Sequence, residues 1–110
     1  MAFTIEGNTI TLTRGDTLKA VVTPKYKDGE DYVPAAGDVI RFALKRRYSD
    51  ADVLIEKEIP TDTFLLHLEP NDTKALDFGR YVYDIELTYA NGDVDTFIDR
   101  ATFIISEEVD

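Results

Sequence analysis

Apolar and polar residues alternate at period two through most of this chain, and the alternation is strictest between residues 81 and 89. There Tyr81, Tyr83, Ile85, Leu87 and Tyr89 fall on one face, and Val82, Asp84, Glu86 and Thr88 on the other, as expected of a strand with one buried side. Five more segments read as strands. Residues 9–13 alternate threonine with inward Ile10 and Leu12 and suit a half-buried edge strand. Leu18, Ala20 and Val22 form the next inward face, which Pro24 closes because proline cannot donate to a ladder. Residues 38–45 turn Ile40, Phe42 and Leu44 inward, and a strand over 53–59 ends at Pro60. Residues 63–69 place Phe64, Leu66 and Leu68 inward, with Leu65 and His67 outward.

The turns between these runs have their own chemistry. Lys27-Asp28-Gly29-Glu30 reads as a hairpin turn, and Arg14-Gly15-Asp16-Thr17 as another. Residues 70–76 have room for one helical turn, with Asn71 or Asp72 as N-cap. Asn91-Gly92-Asp93 predicts a type I′ hairpin, which needs positive φ at both central residues. The returning strand, 94–105, changes phase: Val94, Thr96 and Ile98 face in first, then Ala101, Phe103 and Ile105 on the opposite parity. A bulge near Asp99-Arg100 is the expected cause.

Asp77-x-Gly79-x-Tyr81 has the spacing of a tyrosine corner, in which the hydroxyl bonds back to the backbone and fixes the bend before an immunoglobulin strand F. The position two residues on, a cysteine in disulfide-bonded domains of that class, is Tyr83, whose ring supplies bulk instead. The same residues also fit a glycine that simply breaks a turn before an ordinary strand. Seven or eight short strands without a long amphipathic helix predict an all-β fold, an immunoglobulin-like antiparallel sandwich without disulfide, as one domain over 1–110.

Composition narrows the chemistry. The 110 residues are 44% hydrophobic and hold no cysteine, which suffices for a core and removes thiol catalysis and thiolate metal sites. No stretch approaches the length of a membrane span, and the first residues lack the pattern of a secretory leader, so the expectation is a protein kept in a cytoplasm until assembly. The net charge of −10 lies wholly in residues 56–110, with four Lys and Arg against fourteen Asp and Glu. Such a surface repels nucleic acid, and Lys45-Arg46-Arg47 is too short to reverse that.

No catalytic constellation stands out, and no cofactor or metal is implied. His67 is the only histidine and reads as a surface residue. Asp50-x-Asp52 and Asp93-x-Asp95 offer hard oxygen ligands for calcium without the count of a recognised loop. Arg14-Gly15-Asp16 reads as turn chemistry, Asp77-Phe78-Gly79 lacks the rest of a kinase, and Asn71-Asp72-Thr73 is a sequon that matters only after secretion. The terminal Glu107-Glu108-Val109-Asp110 reads as a chance match to the chaperone tail that binds helical-repeat adaptors.

Several of these motifs together resemble one family. Arg14-Gly15-Asp16-Thr17-Leu18, Ile40-x-Phe42-x-Leu44-Lys45, Leu66-x-Leu68-x-Pro70-x-Asp72-Thr73-x-x-Leu76, Gly79-x-Tyr81-x-Tyr83-Asp84-Ile85 and the Asn91-Gly92-Asp93 hairpin are similar to small proteins and N-terminal domains of phages and prophages of Gram-positive bacteria, some of which open siphophage baseplate upper proteins. The resemblance implies a non-enzymatic module of a tail or baseplate, made in the bacterial host cytoplasm and then carried in the virion. It would bind other phage structural proteins or itself, with no nucleic-acid or membrane partner. Tyr48, Leu65, Val82 and Phe97 are the expected exposed contacts. The competing expectation is a carbohydrate- or calcium-dependent binding module with Tyr26, Tyr32 and Tyr48 as a sugar platform.

Overall fold

A computed structural model describes residues 3–26 and 28–107; Lys27 of the first predicted turn and the end of the Glu-Glu-Val-Asp tail lie outside the described residues. The fold is mostly β, 51% strand and 5% helix, with eight strands and a single short helix among the described residues. β1 (Phe3–Glu6), β2 (Thr9–Thr13), β8 (Val94–Ser106), β7 (Gly79–Thr88), β4 (Val39–Lys45) and β5 (Ile55–Ile59) form one sheet in that spatial order. β3 (Leu18–Val21) and β6 (Leu65–Leu68) form a second sheet of two strands, and α1 (Pro70–Lys74) leads from β6 toward β7.

Both sheets turn their alternating apolar residues onto one core. Ile10, Leu12, Ile40, Phe42, Leu44, Leu87, Phe103 and Ile105 from the large sheet meet Leu18, Leu66 and Leu68 from the small one, all buried. The inward parity expected for β2, β3, β4, β6 and β7 is the parity observed.

Two features of the large sheet depart from expectation. β2 is an interior strand, flanked by β1 through the tight Gly7-Asn8 connection and by β8. Its pairing with β8 is parallel, Ile10 beside Phe103 and Leu12 beside Ile105, so the sheet is mixed. Alternation alone records which face of a strand is buried and carries no information on its neighbours or their direction.

β8 changes phase twice. Between Tyr83/Ala101 and Ile85/Ile98 it carries one extra residue, at Asp99-Arg100 as expected; Arg100 adopts φ 55° and its N–H donates to Asp84 Oδ1 at 2.8 Å. A second extra residue, Phe97, separates Ile98 from Thr96. The second bulge turns Val94 and Thr96 outward, where both are exposed, and frees the Phe97 ring to pack on Tyr32 at 5.4 Å between centroids.

The hairpin at residue 91 forms, but with a three-residue loop. Tyr89 and Asp93 pair across it, Gly92 N–H donates to the Tyr89 carbonyl at 2.9 Å, and Gly92 alone takes positive φ, 95°. This is a type I turn followed by a left-handed glycine. Asn91 keeps negative φ because its side chain is committed to Asp93, accepting that residue's N–H at 2.9 Å.

The N-cap of α1 is Glu69, ahead of Asn71 and Asp72, because Pro70 occupies the first helical position. Asp72 instead accepts the Glu69 N–H at 2.7 Å and pairs with Lys57 at 3.0 Å. Thr73 is fully buried, and its Oγ1 accepts the N–H of Gly15 at 2.9 Å, tying the turn after β2 to the helix.

These positions separate two substitutions. Phe103→Ala, at a fully buried ring, is expected to cost about 3–5 kcal/mol in urea denaturation. Val94→Ser, at a residue 54% exposed, is expected to stay within about 0.5 kcal/mol; a large loss there would contradict the second bulge.

Candidate interaction surface

The bend before β7 is built on a hydrogen bond of the tyrosine-corner kind. Tyr81, 3% exposed, donates its hydroxyl to the Asp77 carbonyl at 2.6 Å. Gly79 takes φ 133°, a conformation a side chain rarely adopts, and a Cβ there would sit 3.2 Å from the Arg46 guanidinium. That guanidinium lies over the Tyr81 ring at 4.6 Å, while Arg14 lies over Phe78 at 4.2 Å, so two cations hold the bend. The basic run 45–47 thus spends Arg46 on structure, and the Arg-Gly-Asp turn is fastened through Arg14 and Gly15.

Tyr83 fills the middle of the core. Its ring is 5.3 Å from Phe42 and 6.2 Å from Phe103, with the two phenylalanines 6.2 Å apart. Its buried hydroxyl is satisfied by donating to the Asn8 carbonyl at the β1–β2 connection. Burial pushes the Tyr83 phenol up to about 12.

A second aromatic group closes the end nearest the 31–37 connection. Tyr32, buried, meets Tyr26, Phe64 and Phe97 at 6.0, 6.2 and 5.4 Å. Its hydroxyl donates to Asp38, which holds that carboxyl below the ordinary range, while burial first and this bond second push the phenol up. Phe64 is held at φ 54° against this group, which explains why β6 begins one residue later. Tyr89 donates to Asp95 at 2.7 Å, and that bond pushes its phenol up to about 12.

The expected surface residues are not brought together. Leu65 and Val82 are half-buried on the outer faces of different sheets, and Phe97 is half-buried against Tyr32. Tyr48 is exposed, but Arg100 stacks on it at 4.0 Å. The three tyrosines of the sugar platform do not form one surface, since Tyr26 packs edge-on against Tyr32, which is in the core, and the Tyr48 ring meets Arg100. His67 is half-buried on the outer face, beside Lys19. Asp50, Asp93 and Asp95 are engaged in turn and side-chain hydrogen bonds, and among the described residues no three His, Asp or Glu side chains converge on a point.

Alternation did not reveal the bare flank of the small sheet. Among the described residues β3 pairs only with β6, and between β3 and the β1–β2 connection lies a slot of about 220 Å³ lined by Ile5, Ala20, Val22, Leu66, Tyr83 and Ile98, among others. Ile5 and Val21 beside it are 47% and 69% exposed. The slot continues past Asn8 and Phe97 toward Asp95 and Asp99. The available signal was indirect: Val21 is an apolar residue at an outward position of its strand.

Compared with known proteins, the chain matches no family model, no curated protein and no solved structure.

Two substitutions test the bend and the core phenol. Gly79→Ala is expected to cost about 1–3 kcal/mol through backbone strain. Tyr83→Phe removes one buried hydrogen bond and is expected to cost about 0.5–1.5 kcal/mol at neutral pH. The Tyr83 phenol is raised from 10.0 to about 12, so its contribution is fully present below pH 10 and is lost as pH rises through about 12. Urea titrations across that window should therefore show a shallower alkaline decline in Tyr83→Phe than in the parent.

Proposed function

We propose that this chain is an immunoglobulin-like sandwich serving as a non-enzymatic structural and interaction module of a phage or prophage particle, most fittingly of its tail or baseplate. The observation that carries this reading is the set of motifs around the bend and its neighbouring strands, Gly79-x-Tyr81-x-Tyr83-Asp84-Ile85 above all, which resemble the phage and prophage domains. What supports the fold assignment is the run β8-β7-β4-β5 facing β3-β6, the order expected of strands G, F, C and C′ opposite B and E, together with the Tyr81 hydroxyl bond where an E–F corner would have it.

The chemistry of the surface supports a binding role over catalysis. The clefts are open; Asp95 in them is engaged by the Tyr89 hydroxyl and Lys25 by Asp31, and among the described residues no nucleophile is hydrogen-bonded to a base. Its partners are then other structural proteins of the particle or further copies of itself, met after synthesis in the host cytoplasm. Tryptic mass spectrometry of density-purified particles is expected to find this chain in stoichiometric amount with tail proteins; particles lacking it would overturn the proposal.

A further inference from the structure

The geometry points to the free edge of β3 as a docking site for an extended segment of a different protein, carrying alternate apolar residues and flanked by lysine or arginine. The inference rests on the reading of the chain as an interaction module and adds where it binds and what it binds.

The edge is regular and available. Val22 N–H donates to the Phe64 carbonyl at 2.8 Å, so the alternation of an antiparallel ladder aims the N–H and C=O of Lys19 and Val21 the other way, along a side that no strand pairs. β3 has no bulge and no proline before Pro24; its one blunting residue is Lys19. Two other free edges are better guarded: β5 presents Glu56-Lys57-Glu58, and the bare part of β8, below its pairing with β2, is broken by two bulges. β1 and β6 also pair on one side only, but the apolar slot runs along β3.

The slot beside β3 is a place for side chains. Ala20 faces it with little bulk, and Ile5, Ile10, Leu66, Tyr83 and Ile98 complete an apolar lining. An added strand would lay every second residue over Ala20 while its backbone pairs with Lys19 and Val21. Charge selects the partner. Asp95 and Asp99 line the far end of this cleft, where Lys25 is held by Asp31 at 2.7 Å and, among the described residues, Asp99 meets only the exposed Arg100, at 3.7 Å. The chain carries −10 overall, so a second copy meets like charge, whereas a segment with basic flanks is attracted.

The test uses the isolated ¹⁵N-labelled protein and a synthetic peptide of about ten residues, valine alternating with threonine between paired lysines, matched to strand addition. Amide shifts and slowed hydrogen exchange are expected at Lys19 and Val21, with binding several-fold weaker for the glutamate-flanked peptide and the difference shrinking as salt rises. N-methylation of the peptide amides on the pairing side should abolish binding, a control that leaves the protein untouched. Val21→Pro, which removes an outward-pointing donor, should do the same while far-UV circular dichroism stays unchanged.

No effect at millimolar peptide would overturn the inference, as would undiminished binding after N-methylation or shifts centred on β1 or β5. Protection of the β3 edge that grows with protein concentration alone would assign it to a second copy and equally overturn it. Particles that incorporate Val21→Pro normally would remove this edge from assembly while leaving the module in the particle. Particles without the chain would remove the module, and the peptide titration would still decide the edge.

Discussion

Tyr83 is the side chain on which the large sheet depends. It sits on the central pair of strands, packs with Phe42 and Phe103, and reaches with its hydroxyl to the Asn8 carbonyl on the far side of β2. One residue therefore joins β4, β7 and β8 through its ring and the β1–β2 connection through its oxygen. A phenol in that place must be both packed and bonded, because a buried hydroxyl without an acceptor would offset much of what its ring contributes by filling space.

The bend two residues upstream gives Tyr83 its position. Tyr81 closes on Asp77, Gly79 supplies a backbone angle that other residues resist, and Arg46 is pressed against both. Arg14 on Phe78 and Gly15 on Thr73 extend the same clamp to the turn after β2 and to α1. Three stretches far apart in sequence thus meet at one end of the molecule, and two of the twelve basic residues of an acidic chain are used there.

Side-chain parity was the most legible property. Ile10, Leu12, Phe42, Leu66, Tyr83 and Ile85 lie inward as alternation requires, since a one-residue slip would expose the whole set. The bulge at Arg100 was legible for the same reason. The bulge at Phe97 was not, because two insertions restore the parity that one had changed, and only the Tyr32 ring explains why Phe97 is drawn in. Tyr32 itself lies in a connection with no period to read, and its burial answers to Asp38 and Phe64. Parallel pairing of β2 with β8 and the bare edge of β3 are relations between strands, which a pattern within one strand does not encode. The expected contact residues are dispersed for the same reason: Leu65 and Val82 are outward on their own strands, which belong to different sheets.

The parallel ladder joining Ile10 to Phe103 also shapes how the chain reaches this state. Contacts of such long sequence separation require closure of a large loop before they return any stabilisation, which slows folding relative to hairpin-built domains. During synthesis from the N-terminus, β1 and β2 emerge as an apolar hairpin whose partner strand does not yet exist. Until the thirteen residues of β8 have left the ribosome, Ile10 and Leu12 lack the strand they pair beside, and a nascent chain arrested short of it would be a client for holding chaperones.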